Sequence, residues 1–337
     1  RLKNMVKFFI TGGAGLIGSH IARELIESNH EIIVYDSFIN YKNPLDTKYQ
    51  LYLEKRFNGI REKIIFERGD TRDKDHTRRV IMKYKPEIII HLAALPLADM
   101  SDTHTEEATS TILQGTINIL EVLRETDFVK RFIYTSSSMV YGDFQYTPTD
   151  ENHPKNPKDV YGGVKLAGEI ITESFCRRYG IKFTIIRPSA VYGPTDVNRR
   201  VSQIFIDNAI KGKELILHDG GVAKLDFTYV KDIAHGFVLA ALSRNAEGEI
   251  FNITTGNARS LKEYVEILKI YFPDLKIKEE SQTDFIRPKR GTLDISKAKK
   301  LLDYEPKYNL ESGIKEYVEF LRNLKWKLVM LATGREE

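Results

Sequence analysis

The sequence predicts an α/β protein: a doubly wound parallel sheet of Rossmann type followed by a smaller α/β unit. Three observations carry this. Short runs rich in β-branched and aromatic residues alternate with longer amphipathic stretches through the first half of the chain. Runs such as EIIIHLAA are apolar throughout rather than alternating, which suits strands buried on both faces. The first run, KFFIT, leads through GGAGLIG into SHIARELIE, a strand, a tight turn and a helix.

Strands are expected over 6–11, 31–35, 63–67, 87–92, 131–136, 183–187 and 249–253. Helices are expected between them over 16–28, 74–84, 107–125, 160–179 and 231–242. After Tyr192 the rhythm loosens. Residues 201–212, 260–272 and 310–324 read as helices, and ELILHDGG and DFTYV as short strands. Only the first half carries a glycine-rich turn, so the expected division is a dinucleotide-binding domain over 1–190 and a smaller substrate domain over 191–325. The run at 249–253 returns to the sheet.

The 337 residues are 42% hydrophobic and 29% charged, enough for a sizeable core. Lys and Arg exceed Asp and Glu by only 51 to 47, and the densest basic stretch, RPKRGTLDISKAKK, is broken by Asp294. That reads as a solvated face and excludes nucleic acid as a partner. The single cysteine, Cys176, forbids an internal disulfide, fits a reducing cytoplasmic setting and sits in a helical pattern as a small buried residue. No apolar run approaches the ~18 residues that span a membrane. The histidines show no metal-ligand spacing, and no metal is expected.

Gly12, Gly13, Gly15 and Gly18 satisfy two dinucleotide spacings at once, Gly13-x-Gly15-x-x-Gly18 and Gly12-x-x-Gly15-x-x-Gly18. Glycine lets the backbone approach a pyrophosphate, with Leu16 and Ile17 opening a helix whose N-terminus faces the anion. The next strand ends in Asp36, followed by Ser37, about 20 residues on, where an acid bonds a ribose hydroxyl and repels a 2′-phosphate. NAD is therefore favoured over NADP. Asp70 and Thr71 follow the third strand, where Asp70 suits either an adenine amino group or the cap of helix 74–84. Leu92, Ala93 and Ala94 end the fourth strand, allowing either close approach to the dinucleotide or simple packing.

Tyr161 and Lys165 lie four residues apart and share a helix face. A tyrosine is a poor base near neutrality, and an adjacent ammonium and a positively charged nicotinamide would both favour its phenolate. YTSSSMVYGD supplies hydroxyls that hold an alcohol and stabilise developing alkoxide charge.

With TGGAGLIG and Asp36, GDTRD, HLAA, TSSSMVYG, YGGVK, RPSAVYGP, DFTYVKDIA and RPKRGTLDISKAKKLL, the chain resembles the extended short-chain dehydrogenase/reductases, the NAD-dependent nucleotide-sugar epimerase/dehydratase family, over roughly residues 5–324. The resemblance implies Ser137, Tyr161 and Lys165 as the catalytic set, with Thr135 and Pro188 lining the nicotinamide. It implies oxidation of a nucleotide-diphosphate sugar, usually at C4, by NAD. It favours the Gly12–Gly15–Gly18 spacing, and a homodimer or dimer of dimers formed through helices 107–125 and 160–179.

Departures narrow the choice. Dehydratases of the family carry Asp-Glu, and decarboxylases a Glu, where Ser138 and Met139 stand. A 4-epimerase fits best, with Ser137, Ser138 and Met139 facing the sugar. Ile112 and Ala190 replace asparagines, Leu225 replaces a phosphate-binding arginine, and Arg290 stands where an aspartate usually follows the pyrophosphate arginine, here Arg287. Arg199 or Arg200 is the expected substitute for the missing arginine. These changes leave a 4-dehydrogenase on an atypical sugar such as a GDP-heptose as the alternative, and an NAD-sensing scaffold as the non-enzymatic one.

Overall fold

In a computed structural model, residues 5–39, 47–95, 98–281 and 287–333 are described. All seven expected strands form: β1 (Lys7–Thr11), β2 (Glu31–Asp36), β3 (Ile64–Arg68), β4 (Ile88–His91), β5 (Arg131–Thr135), β6 (Phe183–Pro188) and β7 (Glu249–Ile253). They make one parallel sheet in the order β7-β6-β5-β4-β1-β2-β3. The order reverses between β1 and β4, which opens a crevice outside their carboxyl ends.

Among the described residues the nine longer helices are α1 (Leu16–Glu27), α2 (Thr47–Phe57), α3 (Lys74–Tyr84), α4 (Gly115–Arg124), α5 (Val160–Tyr179), α6 (Val201–Ile210), α7 (Val230–Leu242), α8 (Leu261–Tyr271) and α9 (Leu310–Thr333). Successive strand residues point to opposite faces, so both faces of the sheet must be covered. On one face, Phe8 and Ile10 pack with Ile21 and Leu25 of α1 and Ile233 and Phe237 of α7. On the other, Phe9 packs with Ile81 of α3, Leu120 of α4 and Cys176 of α5. Ile295, Ala298 and Tyr304 join the α1–α7 face, so the second half of the chain gives this core more than one returning strand. A separate core gathers Tyr192, Phe205, Leu215, Phe227, Tyr264 and Ile314, together with Tyr52 of α2.

Three features depart from the sequence reading. The helix expected over 107–125 is Thr105–Ala108, a π-helical stretch Thr109–Gln114, and then α4. Periodicity does not register a widened turn of this kind. Helix α2 has a weak apolar stripe and is held by tertiary burial of Tyr49 and Tyr52. The strand Ile277–Glu280, sequence IKEE, adds to Leu215–His218 through backbone pairing with little apolar signal.

Candidate active site

One cavity of about 1460 Å³ runs along the carboxyl ends of the strands, and the residues singled out above for binding or chemistry line it, apart from Gly13 and Ile112. At one end stand Gly12, Gly15, Leu16, Ile17, Gly18, Asp36, Ser37, Asp70, Thr71, Leu92, Ala93 and Ala94. In the middle are Thr135, Ser137, Ser138, Met139, Tyr161, Lys165 and Pro188. Arg199, Arg200 and Arg287 complete the opposite wall.

The glycine turn admits little else. Gly12 has φ +65°, and a Cβ there would stand 2.7 Å from the Ala93 nitrogen; one on Gly18 would stand 2.6 Å from Gly13 Cα. Gly13 is equally tight, 2.8 Å from the Ile10 carbonyl oxygen and about 3.1 Å from Val34, but it faces inward. The Gly12–Gly15–Gly18 spacing thus marks the cavity wall, while Gly13 marks packing behind it. Asp36 accepts from the Ala14 and Phe38 amides at 3.0 and 2.8 Å, which aims its carboxylate across the turn. Burial raises its pKa and these amides oppose that shift. Asp70 does not cap α3. Asp73 does, accepting from His76 N at 2.9 Å, while Asp70 holds Arg72 at 2.6 Å. Beneath Leu92–Ala94, His91 lies between the hydroxyls of Thr11 and Thr116 at 2.7 and 3.0 Å. Burial drives its pKa to about 3, so it is a neutral spacer.

These residues fit a dinucleotide. The turn closes only around glycine, the helix N-terminus at Gly15 has no side-chain cap, and Thr135 Oγ1, on the cavity wall, is buried without a hydrogen-bond partner.

Asp159 starts α5 by accepting from Gly162 N at 2.6 Å, and Asp102 accepts from Val160 N at 2.9 Å. That fixes Tyr161 in the first turn. Lys165, one turn on, is 3% exposed and donates to the Thr135 carbonyl at 2.7 Å. Its Nζ lies 5.7 Å from the Tyr161 ring centroid. Burial pulls its pKa down to about 7. The expected depression of Tyr161 by this ammonium is not what the structure displays. Burial raises the Tyr161 pKa, and the opposing pull comes from the Arg200 charge and a hydrogen bond with Ser137. Ser137 Oγ also accepts from Met139 N at 3.2 Å, capping the short helix Ser138–Tyr141.

Glu169 continues the same helix face, four residues past Lys165, and sequence reading overlooked it. Its carboxylate takes Arg187 in two bonds of 2.8 and 2.6 Å and a bond from the Ser136 hydroxyl. Arg187 also donates to Tyr141, which donates to Asn252 at 2.7 Å. This buried network ties the helix of Tyr161 to three strand ends. Arg56 was also overlooked: it joins the glycine turn, at the Ala14 carbonyl (2.7 Å), to the Thr195 carbonyl (2.6 Å). Arg200 is engaged by Asp196 at 3.0 Å, and Arg199 offers its backbone amide to Gln203. Cys176 is fully buried with its pKa pushed up to about 12, so its thiol is unreactive.

Among the described residues there is no cluster of metal-binding side chains, and no helix is long and apolar enough to cross a membrane. The profile of the NAD dependent epimerase/dehydratase family matches residues 8–254. A putative UDP-glucose 4-epimerase of Methanocaldococcus jannaschii is 35% identical over 323 residues, covering 93% of this chain and 98% of that one. A mouse dTDP-D-glucose 4,6-dehydratase is 30% identical, covering 94% and 88%. The crystal structure of a Thermotoga maritima UDP-glucose 4-epimerase with UDP-glucose matches at TM-score 0.83 and 29% identity, covering 94% of this chain and 99% of that one. With its seven-stranded sheet, its glycine turn and its Tyr-Lys helix, the chain belongs to the NAD-dependent nucleotide-sugar epimerase/dehydratase family of enzymes.

Proposed function

We propose that the chain is a nucleotide-sugar 4-epimerase. The observation that carries this is the meeting of Ser137, Tyr161 and Lys165 on one stretch of cavity wall, with Ser138 and Met139 beside them instead of carboxylates. The Gly12–Gly18 turn, Asp36 and Lys165 would hold NAD, which would supply reversible hydride acceptance at C4 of the sugar. Tyr161 takes the proton of the C4 hydroxyl and later returns it. Ser137 keeps a hydrogen bond on the same oxygen as its charge develops. Arg200 and Ser137 support the phenolate against burial. A dehydratase needs an acid and a base beside Ser137. Ser138 is 1% exposed and Met139 has no proton to give, which speaks against elimination.

Residues 191–325 serve as the nucleotide-sugar unit in this reading, with Arg287, Arg199 and Arg200 toward the diphosphate. A second reading, a 4-dehydrogenase on an atypical sugar, draws on Ala190 and on Leu225, which is largely buried at 8% exposure and contributes no charge to the cavity. Ile170, Ile171 and Tyr179 stand exposed on α5, which supports a homodimer through this helix. Incubation with UDP- and GDP-hexoses tests the proposal by NMR of the products. A 4-epimer without net NADH absorbance is the expected result. A ketosugar with accumulating NADH would favour the dehydrogenase, and no turnover of any nucleotide sugar would sink both.

A further inference from the structure

We propose that Arg290 is the receptor for a negative group carried on the sugar itself, so that the substrate is an acidic nucleotide sugar. The proposal rests on the nucleotide-sugar reading above. Arg290 lines the cavity, and its Nε is buried with no hydrogen-bond partner. Among the described residues no carboxylate forms an ion pair with its guanidinium; Asp159 attracts it from beyond ion-pair distance and Arg287 repels it. Arg290 as a whole is half-buried, and the more deeply buried arginines among the described residues are satisfied. Arg56 has Ala14 and Thr195, Arg131 has Glu247, and Arg187 has Glu169 and Tyr141. A buried guanidinium N–H without an acceptor is costly unless a ligand supplies one, and the natural ligand is an anion.

The location selects which anion. Residues 289–293 are clasped to the loop that follows the Ser138–Tyr141 turn: Phe144 N donates to the Lys289 carbonyl at 2.8 Å and Thr149 N to the Thr292 carbonyl at 2.9 Å. Leu293 packs with Val140 and Tyr141. Arg290 is therefore anchored next to the serine turn. The carboxylate that attracts it, Asp159, caps the helix carrying Tyr161. This is the reacting end of the cavity, where the sugar lies in the reading above. Ser138 and Met139 bring no charge to this wall, so Arg290 is placed to set which sugar is accepted.

Calorimetric titration of the purified protein with UDP, UDP-glucose and UDP-glucuronate, and with GDP, GDP-mannose and GDP-mannuronate, tests this. One of the acidic sugars should bind at least about tenfold tighter than its neutral partner. Arg290→Met should erase that preference and leave affinity for the bare nucleoside diphosphate unchanged. Arg290→Lys, which keeps the charge, should retain part of it and decides the matter where the methionine variant does not fold. Equal binding of acidic and neutral sugars by the wild type would overturn the proposal. So would an equal loss of nucleoside diphosphate affinity in the variants, which would move Arg290 to the diphosphate. Failure of all six ligands to bind would defeat the nucleotide-sugar reading itself, and the proposal with it.

Discussion

The two walls of the cavity are built by different means. The cofactor-side wall is made of strand ends and helix starts, with glycine supplied where φ is positive, as at Gly12 (+65°). Behind it lies the satisfied network of Glu169, Arg187, Ser136, Tyr141 and Asn252. The opposite wall, between Ala190 and Leu225 and at 287–290, joins helix α6 and short strands with the loops around them. Here positive φ falls on side-chain residues as well as on glycines such as Gly193 and Gly220: Ala190 (+38°), Thr195 (+72°) and Arg199 (+54°). Such strain gathers at functional sites and must be held by its surroundings. At Thr195 the hold is Arg56, which clamps that residue to the glycine turn. In the proposed function the first wall carries hydride and proton transfer and the second carries recognition of the sugar.

The comparison can be broken most sharply at the first wall. Tyr161→Phe should lower turnover by roughly 10²–10⁴-fold with an unchanged melting midpoint; activity within a few-fold of wild type would remove Tyr161 as the base. Glu169→Ala strands Arg187, which is fully buried, and should cost about 3–5 kcal/mol in urea unfolding. Gly18→Ala pushes a methyl against Gly13 and should destabilise by about 1–3 kcal/mol while weakening NAD retention, measured as cofactor co-eluting in gel filtration.

Lys165 gives a pH signature. Its pKa falls from 10.5 to about 7 on folding, so between these values the unfolded chain binds the additional proton. Its contribution to stability is full above 10.5 and is lost as pH falls through 7. Urea unfolding should therefore show wild type gaining on Lys165→Met from pH 7 to 10; a constant difference would mean that Lys165 is charged throughout. The smallest effect belongs to the opposite wall, where Ala190→Gly should relieve the left-handed backbone and stabilise by about 0.5 kcal/mol.

What was legible in the sequence follows the same divide. Strands such as FFIT and EIIVYD are apolar on both faces, and the glycine turn and Tyr-x-x-x-Lys are local strings whose geometry one element determines. Glu169 was readable too, since Tyr161, Lys165 and Glu169 recur every four residues along one helix. Its partner Arg187 comes from a different strand, and no local pattern joins them. Asp70 and Asp73 are equally plausible caps in GDTRD, and only the fold placed the cap at Asp73. Arg290 stood out as a departure from the family pattern, but its unpartnered Nε appears only when 289–293 docks beside the serine turn. The π-helical Thr109–Gln114 and the helix of Tyr49 and Tyr52 depend on tertiary burial that periodicity does not encode.

The central claim is that this site removes a hydride from C4 and returns it to the same sugar. Deuterium placed at C4 of a nucleotide hexose that the enzyme turns over tests it most directly. Retention of the label at C4 of the 4-epimer, with no deuterium in released NADH, is the predicted result. A 4-ketosugar without the label, together with deuterated NADH in solution, would contradict it.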